Sequence, residues 1–337
     1  MTAGGEPLRI GVLGAARISA LSIVEPARLT GARLVAVAAR DRGRAEAFAA
    51  EHGVERVLDG YADVLADPEV EVVYNPLANS LHAPWNIRAL RAGKHVLSEK
   101  PSAGTADQAR AVRDVVRQTG RTFMEGFHYR YHPVITRLHE LLTTGEFGEL
   151  RRVETVMEMP APDDSDLRWQ FDLAGGALMD LGCYSLHTHR ELARFAGGPP
   201  QVVTARAGER AGHPGVDEWM TAELTFPSGA TGTASCHMAA DAFVMRHRVV
   251  GTRGEATIPD FIHPHEDDRL MIDTENGSRT EHLGTRSSYT YQLDAFTAAV
   301  RGGAAFATDA DDAVATMELI DECYRLAGLP LRPTPGR

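Results

Sequence analysis

The stretch Leu8-Arg9-Ile10-Gly11-Val12-Leu13-Gly14-Ala15-Ala16-Arg17-Ile18-Ser19 decides how this chain is read. Residues 8–13 are a short apolar run of strand character, a glycine follows at once, and a helical period takes over beyond it. That is the strand-to-helix corner at which a Gly-x-Gly-x-x-Gly phosphate turn stands. Only the first glycine is present. Ala16 replaces the one that admits a pyrophosphate, and Ser19 the one that lets helix and strand pack. Both replacements are small, so the backbone of Gly14, Ala15, Ala16, Arg17 and Ile18 can still present N–H groups to an anion at a helix N-terminus. An ordinary turn between strand and helix is the alternative.

Outward from this corner, apolar runs at 34–39, 70–75, 95–98 and 122–124 alternate with amphipathic segments at 42–52, 84–92 and 105–119. Gly53, Gly93 and Gly120 close those segments, where a left-handed C-terminal residue fits. Such alternation implies a parallel, helix-covered sheet. After about residue 127 the pattern changes. A helix is expected at 133–144, a strand at 150–157, a Pro/Asp-rich loop, a helix at 176–195 and then several strands. Segments 221–226 and 230–238 alternate in period two around Pro227-Ser228-Gly229, as a hairpin with one buried face does. Helices at 289–301 and 309–326 finish the chain. The expected fold is therefore α/β: a doubly wound parallel sheet over residues 1–126, then an α+β domain with an open antiparallel sheet over 127–337. A length of 337 residues with 43% hydrophobic content suits two cores.

A net charge of −11 is opposite in sign to what binding nucleic acid or an anionic membrane needs. No stretch approaches the roughly 20 apolar residues that span a bilayer, and residues 1–7 hold no apolar export signal. Cys183, Cys236 and Cys323 form no Cys-x-x-Cys pattern. A cytoplasmic protein without disulfides or structural zinc is expected.

Several side chains carry chemistry. Arg40 is the first polar residue after the second apolar run, and Arg44 follows one helical turn on; together they suit a ribose 2'-phosphate. Asp41 offers two competing readings, a ribose ligand in an NAD enzyme or the N-cap of the next helix. Of 35 basic residues only Lys94 and Lys100 are lysines. Lysine can shift its pKa where arginine cannot, so a rare one draws attention. Lys94 reads as an accident of composition. Lys100, in Ser98-Glu99-Lys100-Pro101, follows a strand and so stands on the carboxyl edge where open α/β sheets bind ligands. Further on, a helix through Gly175-Gly176-Ala177-Leu178-Met179-Asp180-Leu181-Gly182-Cys183-Tyr184 and His187 would align Asp180, Tyr184 and His187 on one face, with the glycines admitting a bulky cofactor. Tyr184 is a candidate acid/base, with a neighbouring Lys100 ammonium lowering its pKa from ~10 and Asp180 orienting the lysine or a substrate hydroxyl. The bland alternative is a core tyrosine and an aspartate that answers an arginine.

Gly14-x-Ala16-x-x-Ser19, Glu99-Lys100-Pro101 and the Gly-Gly-x-Leu-x-Asp-x-Gly-x-Tyr run occur in the order and at the separations of the glucose-fructose oxidoreductase / inositol dehydrogenase (Gfo/Idh/MocA) family. The resemblance covers nearly the whole chain. It implies an N-terminal Rossmann domain, a C-terminal α+β domain and a nicotinamide cofactor, with Lys100, Tyr184 and Asp180 catalytic. Tyrosine at 184 is similar to the branch with glucose-fructose oxidoreductase, D-xylose dehydrogenase and dimeric dihydrodiol dehydrogenase, and Arg40 with Arg44 is similar to its NADP-dependent members. NADP(H) is thus expected ahead of NAD(H), acting on a sugar or cyclic diol. By the same resemblance Pro76, Leu77, Asn79 and His82 line the nicotinamide ribose side with Glu99 and Lys100 near them. Alternatively, 75–82 is a plain turn capped by Asn79 or Ser80. Phe127, His128 and Trp169 are expected to border substrate with Asp180, Tyr184 and His187. No metal is expected, since His187 and His189 point apart on a helix and His263 and His265 lie in an acidic loop. Nor is there the Tyr-x-x-x-Lys of short-chain dehydrogenases; Thr188 stands there. Rival readings are a ketoreductase acting on a nucleotide-linked keto-sugar and an NADP-sensing regulator without turnover. Small and apolar Gly232, Ala234, Cys236 and Met238 suggest a homodimer or homotetramer built through the C-terminal sheet.

Overall fold

The computed structural model describes residues 6–333. In chain order the first elements are β1 (Arg9–Leu13), α1 (Glu25–Thr30), β2 (Arg33–Ala38), α2 (Arg42–His52), α3 (Tyr61–Ala66), β3 (Val72–Asn75), α4 (Asn79–Arg91), β4 (His95–Ser98), α5 (Ala106–Thr119) and β5 (Phe123–Glu125). There follow α6 (Pro133–Thr143), β6 (Leu150–Glu158), α7 (Cys183–Glu191), β7 (Gln201–Glu209), β8 (Asp217–Thr225), β9 (Thr231–His237), β10 (Val244–Gly251), β11 (Gly254–Ile258), β12 (Arg269–Thr274), β13 (Gly277–His282), α8 (Ser288–Gly302) and α9 (Ala310–Leu326). They form two compact units. One runs up to His128 and takes back Tyr289–Val314; the other is Tyr129–Ser288 with the chain from Ala315 on. A boundary at 126/127 leaves out this return, because α8 carries the same amphipathic pattern whichever unit it joins.

The first unit is built on five parallel strands in the order β2-β1-β3-β4-β5. Val12, Val35, Val37, Val73, Val96 and Leu97 are at most 1% exposed, as central strands covered on both faces require. That order reverses between β1 and β3, which makes a crevice at their carboxyl ends. Helix α4 starts a turn earlier than its proline suggests. Pro84 lies inside it and forgoes a bond to the carbonyl four residues back, a cost the surrounding packing absorbs.

The second unit carries eight strands in the order β13-β12-β11-β10-β6-β9-β8-β7. All neighbours are antiparallel except β6 and β9. One face is apolar and lies against α7. Ala234, Cys236 and Met238 belong to that inner face, and a Cβ on Gly232 would stand 2.5 Å from the His189 ring. The alternation read as an oligomer contact is therefore the unit's own core. The other face presents Thr231, Thr233, Ser235 and His237 on β9 and the ion-paired Arg152, Glu154, Arg248 and Glu255 beside them. All three cysteines are buried and outside any disulfide. Among the described residues no helix is long and apolar enough to cross a membrane.

Candidate active site

In the first unit the turn after β1, the end of β2 and the loops after β3 and β4 share the carboxyl edge of the sheet. Gly14 has φ +91°, which favours glycine, and its N–H donates to the Ala38 carbonyl at 2.7 Å, tying the turn to the end of β2. Arg17 and Ile18 are exposed beyond it. Ser19 is fully buried and its Oγ has no partner among the described residues. A buried orphan hydroxyl at a helix entrance, below a turn of backbone N–H groups, fits a site completed by an anion. Arg44 lies over this turn, with Nη2 donating to the Ala15 carbonyl at 3.0 Å. Asp41 takes the cap role, accepting the Arg44 N–H at 3.0 Å. Arg40 is exposed, and among the described residues its guanidinium has no ion-pair partner, whereas Arg42 beside it holds Glu46 and Asp59. The Tyr61 phenol bonds the Arg40 backbone; burial pushes its pKa up against the pull of the Arg40 and Arg44 charges. These residues suit a dinucleotide whose adenosine ribose carries a phosphate.

The loop around Lys100 is tied down on every side. Before it, the Ser98 hydroxyl accepts from Asn86, itself bonded to Asn75, and Glu99 accepts the Tyr74 phenol at 2.8 Å. After it comes a cis Lys100–Pro101 bond. The Pro101 carbonyl meets His82 Nδ1 at 2.7 Å, and the Ser102 N–H donates to the buried Glu125 carboxylate at 2.6 Å. Lys100 is consequently the one residue of 96–106 that is not buried. His82 itself is 1% exposed, with its other nitrogen 2.7 Å from the Leu77 carbonyl. Burial pushes its pKa down to about 4, so at neutral pH the ring has a single N–H for two carbonyls. It braces the Leu77 loop against the Lys100 loop and offers a cofactor no free nitrogen. Pro76 is buried, while Leu77 and Asn79 are half-exposed at the mouth of the crevice.

In the second unit the expected helix at 176–195 is broken into a π turn at Leu178–Gly182, then α7, then a 3-10 turn at Ala193–Phe195. A π turn inserts extra residues per turn, so the alignment expected of Asp180 with Tyr184 and His187 holds in uniform register only from Tyr184 onward. From 174 to 189 Asp180 is the one residue that is not buried. It pairs with Arg168, Nε to Oδ2 at 2.8 Å, and this carboxylate is the main influence that raises the Arg168 pKa. Tyr184 is 5% exposed, edge-on to Tyr129 at 5.9 Å and Phe261 at 6.4 Å between ring centroids. The Tyr129 phenol lies 2.6 Å from His187 Nδ1.

Two family models cover most of the chain: residues 8–127 match the oxidoreductase family with NAD-binding Rossmann fold, and residues 135–257 match the GFO/IDH/MocA C-terminal domain. The chain belongs to the GFO/IDH/MocA family. D-xylose 1-dehydrogenase (NADP(+)) 2 of Haloferax volcanii is 34% identical over 95% of this chain and 97% of its own length. A dTDP-3,4-didehydro-2,6-dideoxy-alpha-D-glucose 3-reductase of Streptomyces violaceoruber is 34% identical over 87% and 85%. Among solved structures, a 3-ketoreductase of Actinomadura kijaniata in complex with NADP and TDP-benzene superposes with a TM-score of 0.87 at 28% identity, covering 95% and 98%.

Within this GFO/IDH/MocA chain several expected roles change. Gly175, Gly176 and Gly182 do not leave room for a cofactor: a Cβ on them would meet the Arg168 carbonyl at 2.3 Å, Asp217 Oδ1 at 2.1 Å and Leu178 Cδ1 at 2.7 Å. Trp169 is 1% exposed, its N–H on the Pro162 carbonyl and its ring under Arg210, so it anchors its loop rather than facing substrate. Phe127 and His128 are fully buried, His128 stacked on Tyr289 at 3.7 Å. Lys94 is no accident, since its buried Nζ donates to the Asp67 and Val70 carbonyls at 2.8 and 2.7 Å. Tyr61 and Phe261 carry no signal in the sequence, whereas Tyr129 stands in the run Phe127-His128-Tyr129-Arg130 expected to border substrate. Tyr61 and Phe261 sit in no motif, and only folding brings them beside the other candidate residues.

Proposed function

We propose that this chain is an NADP(H)-dependent oxidoreductase that moves a hydride between nicotinamide and a hydroxyl or carbonyl carbon of a sugar or cyclic diol. The cofactor supplies or takes the hydride. Tyr184 exchanges the hydroxyl proton, and the Lys100 ammonium favours its phenolate and orients the substrate oxygen. Asp180 holds Arg168 at the edge of the same helix. The observation that carries the reading is the bound-down loop that leaves Lys100 as its one part-exposed side chain, because a positioned ammonium is what such proton transfer needs. Arg40 and Arg44 make NADP(H) the cofactor ahead of NAD(H). The buried thiols outside disulfides fit a reducing compartment, and we place the protein in the cytoplasm as a homo-oligomer.

Similarity to keto-sugar reductases favours a nucleotide-linked substrate as the second reading. The charges beside the Tyr184 helix argue for an uncharged one. Arg168 is held by Asp180 and Asp166, Arg210 by Glu218 and Asp164, and Arg130 by Glu191. A pyrophosphate needs donors that are not already neutralised. The test is a turnover screen with NADP+ and NAD+ over aldoses, inositols and cyclic diols, run beside reduction of a thymidine-diphosphate keto-sugar with NADPH. Turnover of an uncharged polyol with NADP+ is expected. Turnover of the nucleotide-linked sugar alone would replace the main reading by the second.

A further inference from the structure

We infer that Arg332, in the tail beyond α9, is a positioning residue for the helix that carries Tyr184, an inference that rests on the acid/base role proposed for that tyrosine. Asp217, at the start of β8, is fully buried, and its two oxygens divide their work. Oδ2 accepts the Leu178 N–H at 2.6 Å, the first residue of the π turn that leads through Asp180 to Tyr184. Oδ1 accepts the Tyr324 phenol at 3.0 Å and an Arg332 Nη2 proton. Both side chains of the ion pair have no exposed surface. The guanidinium is enclosed further: Nη1 donates to the Gly215 carbonyl at 2.7 Å, Nη2 also donates to the Tyr324 oxygen at 2.8 Å, and its carbon stands 4.1 Å from the Tyr324 ring centre and 5.3 Å from that of Phe171.

Geometry makes this node part of the motif rather than a bystander. Gly176 has φ +127°, and a Cβ there would stand 2.1 Å from Asp217 Oδ1 and 2.5 Å from Arg332 Nη2. The glycine lets the ion pair reach the backbone that opens the helix. Burial pushes the Asp217 pKa up and the Arg332 charge pulls it back, so the carboxylate that caps Leu178 depends on a residue at the far end of the chain. Removing one member of a buried ion pair costs more than replacing both, because it strands the other charge. Arg332 therefore fixes where the Tyr184 helix begins, without touching substrate.

The test compares Arg332→Met, Arg332→Lys and the neutral pair Asp217→Asn with Arg332→Met in the full chain. It measures turnover on the screened substrate, NADPH affinity by fluorescence, and hydrogen exchange of the amides from 178 to 184. Arg332→Met is expected to lower kcat at least tenfold and to speed exchange at Leu178, with NADPH affinity unchanged because its site lies in the other unit. Arg332→Lys should recover part of both. The neutral pair should fold better than the single variant while leaving exchange at Leu178 fast, which separates positioning from stability. Faster exchange with undiminished turnover would uphold the anchor and count against Tyr184 as the proton carrier. Unchanged exchange at Leu178 in folded Arg332→Met protein would overturn the inference.

Discussion

Tyr184→Phe keeps the ring that packs against Tyr129 and Phe261 and removes only the hydroxyl. Turnover should fall by roughly two to four orders of magnitude, the usual scale of general acid/base catalysis, with NADPH affinity unchanged. Lys100→Met should also cripple turnover, and the two changes together should cost far less than the sum of their separate effects, as groups acting as a unit do. Steady-state kinetics on the four-member cycle checks both; wild-type turnover by the phenylalanine variant would move attention to His187. Arg40→Asp removes the phosphate partner proposed above, which has no competing ion pair among the described residues, and adds like charge, so NADPH should lose roughly one to two orders of magnitude in affinity while NADH gains or holds. Equal binding of both cofactors by the wild type, measured by calorimetry, would contradict the premise. Much of the candidate site is proposed from residues that are rare or sit in ordered motifs: a lysine in a chain of arginines, an arginine at a strand end. His82, Trp169 and Phe127 misled because sequence gives a side chain's chemistry but not its burial, and each spends its polar or aromatic surface inside the protein.

At the level of elements, the parallel sheet and most helices followed from periodicity, since strands buried on both faces read as unbroken apolar runs. The π turn before α7 did not, because one turn of wider winding leaves the residue pattern unchanged while altering which side chains align. Nor did the inward face of β9, since alternation tells that two faces differ without telling which one meets a helix. Gly176 shows what the glycine pair is for. Gly176→Ala forces a Cβ against a buried ion pair at a backbone angle that favours glycine, and should destabilise by on the order of 3 kcal/mol or more, read as a lowered denaturation midpoint. An unaltered midpoint would show that the Asp217–Arg332 node is looser than drawn. A second element-level effect concerns buried histidines on α4, α6, α7 and β10. Burial holds His82 and His189 down to about 4 and His139 and His247 down to about 3. Their folded pKa values lie below the ordinary 6.5, so the unfolded chain binds more protons between those limits. The stability they contribute is complete above pH 6.5 and is lost as pH falls toward 4, on the order of 1 kcal/mol per pH unit for each group. Urea melts at pH 7.5, 6 and 5 should show that fall; a flat response would mean the rings stay solvated.

For the whole molecule the open question of assembly turns on the uncovered face of the eight-stranded sheet. Its strands present Val156 on β6, Ser235 and Thr233 on β9, Thr221 and Trp219 on β8, and Met271 on β12, and Trp219 and Met271 are 37% and 43% exposed. Between them Arg152 pairs with Glu154 and Arg248 with both Glu154 and Glu255, and Thr233 donates to Glu223, while the exposed Arg246 beside Val156 has no ion-pair partner among the described residues. A face of β-branched and small residues, most of whose charges are paired within it, can be covered by a like face, and a two-fold arrangement satisfies both copies at once. Light scattering at micromolar concentration should therefore give a dimer or tetramer mass. Val156 is the residue to probe, because it lies in register with Ser235 on one side and Arg246 on the other, in the middle of the sheet. Val156→Arg adds a second positive charge beside Arg246 in each copy and opposes like charges where a two-fold contact covers the middle of this face. It should shift the mass toward the monomer at low ionic strength and recover part of the larger species in high salt, where like charges are screened. A monomeric wild type would refute assembly, and an oligomer indifferent to Val156→Arg would place the contact on another surface.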